Sequence, residues 1–271
     1  MASFHIRSIS LPSRPHPLIV NIEEQISKLK TSKSSSIGQK VAGLKRLYDS
    51  VDDFLQMPLS QQSLSHEQQS QSVEQALNVS LGLLDMCSTT KDFFSQMKEC
   101  FQGLESSLRR TRGGESGLNE VDAYMVSRKK LNKVICKYLR NLKRQEKNCR
   151  TTFGDNSDVM NMINILKAAE EISLAVLESI LSFISQSKAK SKLSGWSINL
   201  SSEGKVQPSE IEKIDAELLV LKSSIDINQV HNVLKGLEAM DSSLQEAVEE
   251  LDCVYRKFVK TQVSLLNILN H

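Results

Sequence analysis

Aromatic residues are scarce in this 271-residue chain, at 5% of the total with a single tryptophan. Packed sheets draw heavily on aromatic and β-branched side chains, so this shortage argues against a β architecture. Glycine (11) and proline (5) are also few, and three of the prolines, Pro12, Pro15 and Pro17, crowd into the start of the chain. The body of the sequence is therefore nearly free of helix breakers. Charge of one sign is lacking too: 34 Lys and Arg face 32 Asp and Glu, a net +2, and no overall field steers the molecule toward nucleic acid or membrane. No apolar run approaches the roughly 20 residues of a membrane-spanning helix. The most apolar stretch, from Ile172 to Ile184, carries Glu178 in its middle. Cys87, Cys100, Cys136, Cys149 and Cys253 form no C-x-x-C pair and have no histidine cluster nearby, which disfavours a zinc site or a disulfide framework and fits a reducing compartment. The N-terminus holds no continuous apolar segment of the secretory kind, and its prolines spoil the amphipathic helix that an organelle transit peptide needs.

What the chain does have is apolar residues at helical spacing. Leu18, Ile22, Ile26 and Leu29 mark a short first helix ending in the serines at 32–36. Ile37, Val41, Leu44, Tyr48, Val51 and Leu55 alternate steps of four and three, and Pro58 is expected to stop them. A long stripe follows from about His66 to Arg110, as one helix or as two joined near Thr89-Thr90, with Lys91 intruding. Gly113-Gly114-Glu115-Ser116-Gly117 reads as an inter-helix loop; no Gly-Lys-Ser/Thr follows it, as a phosphate cradle would require. Further helices are expected over about 119–147, 158–186, 209–224 and 228–270. In the last, the apolar seam from Val233 to Ile268 is unbroken and implies a rod on the order of 60 Å long, which a second copy, as a homo-oligomer, or another protein can share. The expected fold is all-α: an elongated antiparallel helical bundle with long coiled-coil-like helices. It divides into a disordered tail at 1–17 and a single bundle domain at 18–271, with a flexible loop at 187–209.

His5, His16, His66, His231 and His271 stand apart from one another, and no H-E-x-x-H or G-x-S-x-G motif is present. The reading is non-enzymatic, with no catalytic residue, metal or cofactor. Three features remain as interaction candidates. Lys129, Lys133, Lys137, Arg140, Arg144 and Lys147 form a basic stripe along one side of a helix, opposite Leu131, Ile135, Tyr138 and Leu142. Such a stripe suits an acidic protein or an anionic membrane surface, or it is solvated, or it is paired internally with the acidic last helix. Nucleic acid is disfavoured because no stacking aromatics interleave the cations. Arg7, Ser10 and Pro12 match a phosphoserine ligand of 14-3-3 proteins, in which phosphate on Ser10 supplies the charge that an arginine cluster grips. Trp196, alone in a polar loop, is either a partner anchor or a cap on the end of the bundle.

Four runs carry a resemblance: His5 to Arg14 in the tail, Leu83-Leu84-Asp85-Met86-Cys87, Ser127-Arg128-Lys129-Lys130-Leu131, and Val263-Ser264-Leu265-Leu266-Asn267-Ile268-Leu269. With these runs in order along nearly its whole length, the chain resembles the land-plant BYPASS-related family. The resemblance implies a plant-specific helical protein of root and shoot development and signalling, with no established reaction and no catalytic residues to carry over. Gln262 stands where that family more often has arginine, which weakens any charge-dependent contact there. The combined expectation is a cytoplasmic helical adaptor that binds other proteins, or alternatively a peripheral membrane protein that binds anionic lipid through the basic helix 128–147.

Overall fold

The computed structural model describes residues 16–31, 36–66, 71–111, 115–148, 158–185, 210–223 and 227–270. They form α1 (Pro17–Thr31), α2 (Ile37–Leu55), α3 (Pro58–His66), α4 (Gln71–Thr111), α5 (Glu115–Asn148), α6 (Asp158–Ile184), α7 (Glu210–Ser223) and α8 (Ile227–Asn270), with no strand among the described residues. The all-α bundle expected from periodicity is what the chain forms.

Three boundaries differ from the sequence reading, each for a local reason. The pattern of α2 does stop at Leu55, ahead of Pro58, but helix resumes at once: Pro58 opens α3, which was not expected, because proline at a first helical position loses no bonded N–H and its φ is already helical. His66 thus closes α3 rather than opening the long helix, which begins at Gln71 and runs unbroken through Thr89-Thr90. Thr90 is buried there, its hydroxyl donating to the Met86 carbonyl at 2.7 Å within its own helix. The glycine-rich segment is also helical from Glu115, where α5 begins, rather than a loop through Gly117. The start of α2 is fixed by a capping box: Gln39 N donates to Ser36 Oγ at 3.3 Å while Ser36 N donates to Gln39 Oε1 at 3.2 Å.

Helix α8 is the axis of the assembly. It packs most extensively on α4 and then on α2, with smaller contacts to α7 and α3. Arg109–Glu238, Lys98–Gln245 and Lys91–Asp252 descend one helix as they ascend the other, so α4 and α8 are antiparallel. Lys45–Glu250, Asp49–Lys257 and Asp52–Lys260 rise together, so α2 and α8 are parallel. Helix α1 lies antiparallel on α2, with Asn21 and Gln25 both donating to Ser50 Oγ. The Leu29 side chain fills the space over Gly43, where a Cβ would come within 2.5 Å of its tip.

The buried side chains form one cluster with contributions from all eight helices. Phe54, Phe94, Phe101 and Phe258 are fully buried, and Tyr48 meets Phe258 edge to face at 4.5 Å. Each such side chain contributes about 1.5–3 kcal/mol by leaving water. The α8 seam, from Val230 through Leu237, Leu244, Leu251 and Phe258 to Ile268, is buried by the chain's own helices. No helix among the described residues is long and apolar enough to cross a membrane.

Candidate interaction surface on α5

Helix α5 packs chiefly on α4, with lesser contacts to α7 and α6. Val121, Tyr124, Leu131 and Ile135 are buried on its inner side, and Tyr138 and Leu142 are partly buried. That leaves Lys129, Lys133, Lys137 and Arg140 exposed on the outer side. None of these four forms an ion pair with another described residue; Arg140 Nε donates to the Cys136 carbonyl of its own helix at 3.1 Å. Arg144 and Lys147 lie within α5, but their side chains fall outside the described residues. Val126 and Val134, each 53% exposed, flank the row.

Among the described residues, the acids of the last helix do not pair with this stripe. Glu238 pairs with Arg109 and Asp252 with Lys91, both on α4, and Glu250 pairs with Lys45 on α2 at 2.8 Å. The row is therefore a surface of uncompensated positive charge on a rigid helix. Between α5 and α4 runs an open groove of about 420 Å³, lined by Gln96, Glu99, Cys100, Ser127, Lys130, Leu131 and Val134.

Beneath the row lies a polar cluster that sequence reasoning missed. Arg128, next to Lys129, points inward and is 3% exposed. Its Nε is 3.6 Å from Asp215 Oδ2 on α7, and no guanidinium nitrogen reaches hydrogen-bond distance of a partner. Tyr124 Oη donates to Asp215 Oδ1 at 2.8 Å, and its ring stacks on Phe101 at 5.8 Å. Burial raises the Asp215 carboxyl above its ordinary value, against the Tyr124 hydrogen bond and the Arg128 charge, which lower it. Burial likewise pushes the Tyr124 phenol up, with Asp215 adding to the effect. This cluster ties α5 to α7 beneath the basic row. A second buried acid, Glu170 on α6, is held well above the ordinary carboxyl range by desolvation, and its Oε2 has no hydrogen-bond partner.

The tail motif Arg7, Ser10 and Pro12 and the loop tryptophan Trp196 lie outside the described residues. Gln262 is buried on α8 with its Oε1 unpartnered. Cys87, Cys100, Cys136 and Cys253 are free thiols, and burial pushes Cys87 up to about 12. Among the described residues no group of three or more His, Cys, Asp or Glu is placed to hold a metal ion.

A protein-family model described as Protein BPS1 matches residues 40–268, from early in α2 to the last turn of α8. No curated protein and no solved structure matches the chain.

Proposed function

Because the chain belongs to the BPS1 family, a plant family involved in developmental signalling, we propose that it acts there as a non-enzymatic cytoplasmic adaptor that binds acidic protein partners on α5. The observation that carries this reading is the exposed, unpaired row of Lys129, Lys133, Lys137 and Arg140. Closely spaced cations on one helix face add their attractions to an opposing acidic surface and speed its encounter. The buried Arg128–Asp215 pair supports it, because a row held by packed elements needs little ordering on binding.

A second reading, attachment to anionic lipid, is favoured by Val126 and Val134 beside the lysines. Against it, the exposed side of α5 offers no Trp or Phe to enter the headgroup region. Lys133→Glu with Lys137→Glu separates the two. Proximity labelling in plant cells with the variant is expected to lose acidic protein neighbours that the wild-type chain labels, while flotation with phosphatidylserine vesicles is equal for both. Salt-sensitive flotation of wild type alone transfers the function to the lipid reading. An unchanged set of labelled proteins, with helicity retained, refutes the adaptor reading.

A further inference from the structure

The outward face of α8 carries a charge pattern that its own chain uses only in part. Along the side facing away from the core, residues at alternating steps of three and four read Glu246, Glu249, Cys253, Arg256 and Lys260. The four charged residues are exposed, and Cys253 is a half-buried free thiol between them. Glu246 and Arg256 have no hydrogen bond or ion pair with another described residue. Glu249 accepts from Gln245 Nε2 at 2.6 Å, and Lys260 reaches Asp52 at 2.6 Å while its side chain stays 66% exposed.

Within one helix this order is unfavourable. Glu246 and Glu249 are like-charge neighbours at i,i+3, and Arg256 and Lys260 at i,i+4, so each couple repels across one turn. Alternating signs at the same positions would have given attractive pairs. The pattern does have a symmetry: Glu246 and Lys260 lie equally far to either side of Cys253, and Glu249 and Arg256 nearly so, with opposite sign across the centre. A face of that kind is complementary to itself when reversed, which is the requirement for a two-fold interface.

We propose that two copies of this chain associate through the outer faces of α8, antiparallel about a two-fold axis at Cys253. Glu246 then meets Lys260 of the second copy, Glu249 meets Arg256, and each contact occurs twice. A parallel arrangement would set acid on acid and base on base, so charge selects the orientation. The apolar seam of α8 is already filled by α2 and α4, so the contact is polar, reversible and salt-sensitive rather than an obligate core. It uses a different helix from the basic row of α5 and stands independently of it.

The symmetry supplies the test. Glu249→Arg places arginine against Arg256 of the second copy, and Arg256→Glu places glutamate against Glu249. The chain carrying both changes restores the pair with its signs exchanged. In sedimentation equilibrium of the full chain, wild type and the double variant are expected to share one monomer–dimer constant, and each single variant to be weaker by about tenfold. A short bismaleimide should link wild-type dimers through Cys253, and Cys253→Ser should abolish that link. Circular dichroism of each variant separates a lost contact from a lost fold. A monomeric wild type at about 100 μM, a double variant no better than the singles, or a cross-link that survives Cys253→Ser overturns the proposal.

Discussion

Asp215→Asn should destabilise the chain more than Arg128→Met does, although both break the same ion pair. The asparagine keeps the shape of Asp215 and still accepts from Tyr124 Oη, so the substitution removes the negative charge 3.6 Å from the guanidinium and sets an amide N–H donor in its place. Arg128 is then a buried cation with no counter-charge, and it cannot lose its proton. Breaking a buried pair in this way costs about 3–5 kcal/mol. The converse variant leaves Asp215, whose carboxyl is already raised by burial and keeps the Tyr124 donor; it can escape by taking a proton, so Arg128→Met should cost only about 1–2 kcal/mol. Lowering the pH should shrink that smaller cost further, because protonation relieves the stranded acid. The double variant Arg128→Met with Asp215→Asn leaves no buried charge and should fall within about 1 kcal/mol of wild type. Urea unfolding followed at 222 nm measures all four corners of the cycle. In melting temperature the Asp215→Asn loss corresponds to about 10 °C for a chain of this size. If Asp215→Asn proves the milder single change, or the double variant shows the sum of the singles, the buried guanidinium is not what the pair neutralises.

Two further outcomes follow from named groups. Glu170 has its proton affinity raised by burial, so between the ordinary carboxyl pKa and its own the folded chain holds a proton that the unfolded chain has released. Stability should therefore fall as pH rises through that window, by up to about 1.4 kcal/mol per pH unit, and Glu170→Gln should remove this slope; parallel curves for the two chains in urea titrations from pH 5 to 8 would show that Glu170 does not titrate there. A tail peptide phosphorylated on Ser10 should bind a 14-3-3 protein at least about tenfold more tightly than the unmodified peptide in fluorescence polarisation, and equal binding eliminates the Arg7–Ser10–Pro12 site.

Periodicity made most of the helices legible, because amphipathic spacing is a local signal that tertiary packing then completes. Pro58 shows the limit of a local rule: the same ring that ends one helix is suited to begin the next, and only Gln56 and Met57 separate α2 from α3. Arg128 shows another. Its charge and its neighbours Lys129 and Lys130 suggested exposure, yet it falls in phase with Val121, Tyr124, Leu131 and Ile135, the buried seam of α5. That phase was the available signal. Glu170 was harder to read, since α6 exposes only a narrow stripe through Asn164, Glu171 and Ser182, and Glu170 falls just off it. Which helix the acids of α8 would meet depended on tertiary neighbours, and no spacing in the chain encodes that α4 and α2, rather than α5, flank it.

The distribution of charge then follows from those neighbours. On one flank Lys91 and Arg109 of α4 face acids on α8; on the other, Lys45 of α2 faces Glu250 while Asp49 and Asp52 of α2 face Lys257 and Lys260, and these pairs balance charges where elements touch. Exposed pairs of this kind add little stability, so their effect is chiefly to fix register and polarity between helices whose apolar seams alone would tolerate slippage by a heptad. What stays exposed is not balanced locally: a basic row on α5, and a face on α8 that is acid at one end and basic at the other, where Lys260 also reaches Asp52. A single-signed surface can be neutralised only by a different molecule, whereas a surface of two signs arranged by symmetry can be neutralised by its own copy. The near-zero net charge of the chain thus conceals two surfaces of opposite logic, one of a single sign and the other of two signs arranged by symmetry.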